Sequence, residues 1–105
     1  MTFGQYVATG RKMLGLSQKD LAARLLKEEG SPISAQYLND IERDRRNAPS
    51  EYLIAQFARE LNVDSDYLHY LAGQIPRDVR ERNLPTEQVK EAFVAFRRDP
   101  RTHRP

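Results

Sequence analysis

The chain has no cysteine, which excludes disulfide staples and thiolate metal sites. It has no apolar run near the roughly 20 residues that a bilayer-spanning helix needs, and it does not open on the basic-then-apolar pattern of a secretion signal. A cytoplasmic location with no membrane attachment is therefore the expectation. Histidine is scarce as well. His69 lies between Leu68 and Tyr70, where a surface or half-buried role is expected, and His103 lies near the C-terminus. Neither has a metal-ligand spacing or a paired nucleophile, so no catalytic residue, metal site or cofactor is expected and an enzyme is the remote reading.

What the chain does have is ordinary for one globular domain with an appended element: 105 residues, 39% apolar and 30% charged,. The net charge of +2 is unevenly spread. Residues 1–33 carry five basic and three acidic groups, residues 51–75 one basic and four acidic, and residues 76–105 eight basic and five acidic. An acidic segment with basic groups before and after it suits a protein that turns one side toward a polyanion.

Apolar spacing predicts helices and no credible strand. Phe3, Val7, Gly10 and Leu14 recur at helical intervals, so a first helix should run from about Thr2 to Leu14 and stop at Gly15. Ser17, with Asp20 three residues on, reads as a capping box, and Leu16 can staple onto Leu21. The buried face of that second helix would be Leu21, Ala22, Leu25 and Leu26, with fraying near Glu28 to Gly30. Ser34 then caps a third helix that buries Leu38 and Ile41. Pro49-Ser50 opens a fourth, with Leu53, Ile54, Phe57, Ala58 and Leu61 as its stripe. Asp64 caps a fifth, ending near Ala72-Gly73 with Leu68 and Leu71 inward. Beyond it, Ile75 to Arg82 has room for a helical turn or two. Thr86 to Arg98 is amphipathic, and the proline-bearing tail from Asp99 should be mobile.

A helix that enters a DNA major groove must keep its outward positions free of bulky apolar groups. With Leu38 and Ile41 inward, the outward set is Ala35, Gln36, Asn39, Asp40 and Arg43. Gln and Asn present a donor beside an acceptor, matching adenine's exposed edge; Ala can touch a thymine methyl, and Asp can accept from cytosine. Arg43, Arg45 and Arg46 follow where the chain would cross the DNA backbone, and Gln18 can add its amide to the free N–H groups opening the second helix. The plainer alternative is a solvated surface helix followed by a loop whose arginines pair locally with Asp44 or Glu42.

Leu16-Ser17-Gln18-x-x-Leu21-Ala22, then Ile33-Ser34-x-x-Tyr37-Leu38-x-x-Ile41-Glu42-Arg43, then Arg46-Asn47-x-Pro49-Ser50, resemble the lambda-repressor-like (Xre-type) helix-turn-helix family over about residues 3–72. The resemblance implies an all-α fold with a five-helix DNA-binding domain, here residues 1–73. It also implies operator binding as a symmetric homodimer, and repression more often than activation. By position it places Ala35, Gln36, Asn39 and Asp40 on the bases. Gln18, Ser34, Tyr37, Arg43, Arg45, Arg46 and Asn47 fall on the phosphates. It further implies an ion pair between Arg11 and Glu42 that orients the reading helix. The sequence departs from the family at the joint, where Leu26 to Ser31 adds about six residues. Either the second helix or its loop is longer, and the polar composition implies that the excess projects into solvent.

Residues 74–98 form an additional C-terminal extension whose amphipathic helix carries Val89, Phe93 and Phe96, and 99–105 a flexible tail. The aromatic pair needs cover, either from the chain's own body or from a second copy. Double-stranded DNA and a homodimer partner are thus the expected associations. The alternative is a protein-interaction module, such as an antitoxin, that uses the last helix and binds DNA secondarily.

Overall fold

Five helices begin on a side chain that accepts a hydrogen bond from a backbone N–H one turn ahead. Thr2 caps Phe3–Met13 (α1), Ser17 caps Gln18–Arg24 (α2), Ser34 caps Ala35–Glu42 (α3), Ser50 caps Glu51–Leu61 (α4) and Asp64 caps Ser65–Leu71 (α5). Two of these are reciprocal boxes, Thr2 with Gln5 and Ser17 with Asp20, so two otherwise orphaned amides are satisfied at each end,. Pro76 and Pro85 precede the short Arg77–Arg80 (α6) and the longer Thr86–Arg97 (α7). The computed structural model describes residues 1–98; the expected tail at 99–105 lies outside the described residues. Among the described residues there are seven helices and no strand, only one isolated antiparallel bridge.

The core is built by α1 to α5. Val7, Leu21, Leu25, Leu38, Ile54, Phe57 and Leu68 are fully buried, and Phe3 meets Phe57 edge-on at a centroid distance of 6.0 Å. Each such side chain contributes roughly 1.5–3 kcal/mol by leaving water. α1 packs on α3 and α4, α2 on α3, and α4 on α5. His69 is buried, deeper than the surface or half-buried position expected, and its Nδ1 lies 2.8 Å from the Ser65 carbonyl oxygen, to which it donates.

Three local expectations are corrected. Leu14 is half-exposed because α1 ends at Met13 and Leu14 is its cap; the chain then turns at Gly15 with φ +71°. α2 ends at Arg24, well short of Glu28, because Leu25 leaves the helix in an extended conformation. Leu26, expected in the buried face, is exposed and forms the antiparallel bridge with Pro32. The extra residues at the joint are therefore a solvent-facing loop, closed by Lys27 N–H to Ser31 O at 2.8 Å and Ile33 N–H to Leu25 O at 2.9 Å. Its root is held by buried Gln56 of α4. The Gln56 side chain accepts from Leu26 N–H at 2.8 Å and donates to Leu26 O at 2.6 Å. With both main-chain groups of Leu26 satisfied, the chain reaches Ile33 and Ser34 with the core junction closed.

No residue of α6 or α7 is buried. Arg77 and Arg80 reach Glu51 at the start of α4, at 3.4 and 2.7 Å, and Phe96 stacks on Tyr70 with centroids 6.0 Å apart. No helix among the described residues is long and apolar enough to cross a membrane.

Candidate nucleic-acid interface

A buried ion pair ties α1 to α3. Arg11 in α1 grips the carboxylate of Glu42, the last residue of α3, through Nε at 2.7 Å and a terminal nitrogen at 2.9 Å. The remaining terminal nitrogen donates to the Leu16 carbonyl at 2.9 Å, so one guanidinium ties α1, the α1–α2 turn and α3 together. Both residues are buried, and the hydrogen bonds that the guanidinium donates to Glu42 raise its already high pKa, outweighing its desolvation. Removing one partner of such a pair leaves the other charge stranded, which costs far more than losing a surface pair.

Gln18, at the first position of α2, continues the lock. Its Nε2 donates to Glu42 Oε1 at 3.0 Å and to Asn39 Oδ1 at 3.1 Å, so both amide hydrogens are spent on α3. The side chain expected on a DNA phosphate is therefore a brace between the two helices; what α2 still offers a phosphate at this point is its backbone N–H groups.

On the outward flank of α3, Ala35 and Gln36 are exposed, and Asn39 and Asp40 are half-exposed. Gln36 donates to Asp40 Oδ1 at 3.1 Å, which steadies both side chains and leaves the Gln36 oxygen and its second hydrogen to meet a base edge. Asn39 Oδ1 accepts from Arg43 Nε at 3.3 Å as well as from Gln18. Ser34 spends its oxygen as the α3 cap but keeps a hydroxyl hydrogen to donate, and Tyr37 is half-buried beside it.

Arg43, Arg45, Arg46 and Asn47 are all exposed just past α3. Local pairing does occur, though not with Asp44 or Glu42. Arg45 and Arg46 approach Asp40 at 3.9 and 3.7 Å, and the Arg46 guanidinium lies 5.0 Å from the centre of the Tyr37 ring. These contacts are long and solvent-washed, so they aim the arginines without holding them back from phosphates.

Asp44 is a site residue that the sequence reading missed. Its backbone is left-handed, φ +57°, and its carboxylate turns back to the start of α1. There it accepts from Thr2 Oγ1 at 2.6 Å and from Gly4 N–H at 3.1 Å, so its negative charge sits on a helix N-terminus instead of cancelling the arginines,. Gly4 makes this approach possible: a Cβ there would lie 2.4 Å from the Ile41 carbonyl oxygen. Nothing local in the sequence marks this contact, which spans about 40 residues. In the extension, Val89, Phe93 and Phe96 are 37%, 45% and 68% exposed, and Phe96 reaches the body through Tyr70.

The profile of a family described as Helix-turn-helix matches residues 7–68, more than half of the chain. Among solved structures the chain is similar to one titled SinR protein/SinI protein complex. The TM-score is 0.52 at 24% sequence identity, covering 90% of this chain and 79% of that one, a likeness of fold. A search of curated proteins found no match. The matched span holds the capped α2 and α3, the brace between them and the arginine-rich loop. The chain belongs to the lambda-repressor-like (Xre) helix-turn-helix family of DNA-binding transcription regulators.

Proposed function

We propose that this protein is a sequence-specific repressor that binds a near-palindromic operator as a homodimer, with α3 in the major groove. The observation that carries this reading is the exposed polar flank of α3, held at a fixed angle by the buried Arg11–Glu42 pair and followed at once by three exposed arginines. Ala35, Gln36, Asn39 and Asp40 read bases. Arg45, Arg46 and Asn47, with Ser34, Tyr37 and the α2 N-terminus, hold phosphates, while Arg43, which caps α3 beside Asn39, lies where its terminal nitrogens reach either a phosphate or a base edge,.

Selection of bound sites from a random duplex library tests it directly. Enrichment of two half-sites centred about 34–36 Å apart along the duplex is the expected result. Failure to enrich any motif, with binding equal on all duplexes, overturns it.

The dimer contact we assign to a second copy of α7. A 12-residue helix with no buried residue is marginal alone in water,. Its charges run from Glu87, Lys90 and Glu91 near one end, net acidic although Lys90 lies 4.0 Å from Glu87, to Arg97 and the cap residue Arg98 at the other. Antiparallel pairing about a two-fold axis sets each acidic end against the partner's basic end while covering Val89, Phe93 and Phe96. Reversing Glu87 and Glu91 to arginine should give monomers by light scattering. Adding Arg97→Glu and Arg98→Glu should restore the dimer. A wild-type chain that stays monomeric and captures a different protein through α7 would favour the interaction-module reading instead.

A further inference from the structure

Resting on the reading of α3 as the base-reading helix, we infer that the pair Asn39–Arg43 takes guanine and rejects adenine. The hydrogen-bond direction of every amide in this cluster is fixed by a buried anion. The Glu42 carboxylate can only accept, so the Gln18 atom 3.0 Å from Oε1 must be the amide nitrogen,. That same nitrogen, 3.1 Å from Asn39, requires an oxygen there, and Arg43 Nε, a donor without alternative, reaches the same oxygen at 3.3 Å,. Polarity thus passes from Arg11 and Glu42 in the core, through Gln18, out to the surface of α3.

The consequence is chemical. Asn39 Oδ1 carries two hydrogen bonds and has no lone pair left for a base amino group, which bidentate recognition of adenine would need. Its amide nitrogen, together with the terminal nitrogens of Arg43, offers donors alone. Guanine is the base that presents two acceptors, N7 and O6, side by side in the major groove. Adenine and cytosine each present an amino group that would face these donors. Thymine presents a single acceptor. Gln36 differs from Asn39: its nitrogen is drawn to Asp40 while its oxygen remains unspent, so it keeps the mixed pattern suited to adenine.

The test compares three proteins on the random duplex library, with circular-dichroism melts to establish that each is folded. Wild type should enrich guanine at one position of each half-site, and replacing that guanine by 7-deazaguanine should weaken binding roughly tenfold. Asn39→Asp keeps an oxygen for Gln18 and Arg43 but turns an acceptor outward, so the selected base should change to cytosine. Gln18→Ala releases Asn39 Oδ1, and adenine should rise at the guanine position. A wild-type motif with adenine at the position that responds to Asn39→Asp would overturn the inference while leaving DNA reading intact, as would a motif unchanged in both variants. A wild type that selects no motif removes the underlying reading, and the inference with it. The 7-deazaguanine arm needs no variant to fold.

Discussion

Glu42 closes α3 with both carboxylate oxygens on the guanidinium of Arg11, at 2.7 and 2.9 Å, although 31 residues separate the two. Because the pair is buried, Arg11→Ala or Glu42→Ala should each destabilise the fold by about 3–5 kcal/mol in urea unfolding. The apolar double replacement Arg11→Met with Glu42→Leu should cost much less than the sum of the two single losses. It should also release Gln18, so base selectivity falls further than stability does. Single variants as stable as wild type would place the pair in effective contact with water.

Two glycines of α1 should respond oppositely to alanine. At Gly4 the new methyl meets the Ile41 and Glu42 carbonyl oxygens and the Asp44 carboxylate at 2.4 to 2.7 Å, so α1 must move off α3, at about 1–3 kcal/mol or more,. At Gly10 the nearest atom would be a Leu61 methyl at 3.7 Å, ordinary contact, and the helix gains about 0.5–1 kcal/mol from losing a flexible residue,. Thermal melts should show a lower midpoint for Gly4→Ala and a higher one for Gly10→Ala. Matching shifts in one direction would contradict the contact.

Arg45 is 60% exposed and only loosely engaged by Asp40. Arg45→Ala should weaken binding to every duplex alike and reduce the slope of log affinity against log salt by about one. Gln36→Ala should instead cost about 1–3 kcal/mol on the selected site and little on unrelated DNA. Salt titrations on both duplexes separate these effects; an unchanged slope takes Arg45 off the phosphates.

The Asp20 carboxyl is held below its ordinary range, chiefly by the Ser17 hydroxyl interaction and then by the Ser17 backbone N–H. A depressed folded-state pKa means that its contribution is complete above the unfolded-state value. The contribution drains away as pH falls through the folded-state one. Asp20→Asn should therefore lower stability near neutrality and make little difference once wild-type Asp20 is protonated. Melts of the two proteins across acid pH should converge.

Much of the fold was legible because helix starts are local. Ser17, Ser34, Ser50 and Asp64 each announce a cap within three residues of the amide they satisfy. The end of α2 was not legible for the opposite reason. Leu25, Leu26, Lys27 and Glu28 all favour helix, and what draws the chain out of it is Gln56, 30 residues away. At the interface, the exposed flank of α3 followed from which side Leu38 and Ile41 must face. The assignment of single partners did not. Gln18 looked free for a phosphate and Asn39 for adenine because the bonds that occupy them join residues 21 and 24 positions apart. The Arg11–Glu42 pair was readable only through the family resemblance, and Asp44, placed among arginines in sequence, serves α1 in space.

The clasp of Gln56 on Leu26 engages main-chain atoms and ignores side-chain identity. The exposed side chains of Lys27 to Ser31 can therefore be exchanged to carry a dye or an affinity handle, while the main-chain bonds of the loop and the Leu26 clasp keep the flanking helices in register. A reporter mounted there would sit a few residues before Ser34, beside the helix that we propose meets DNA.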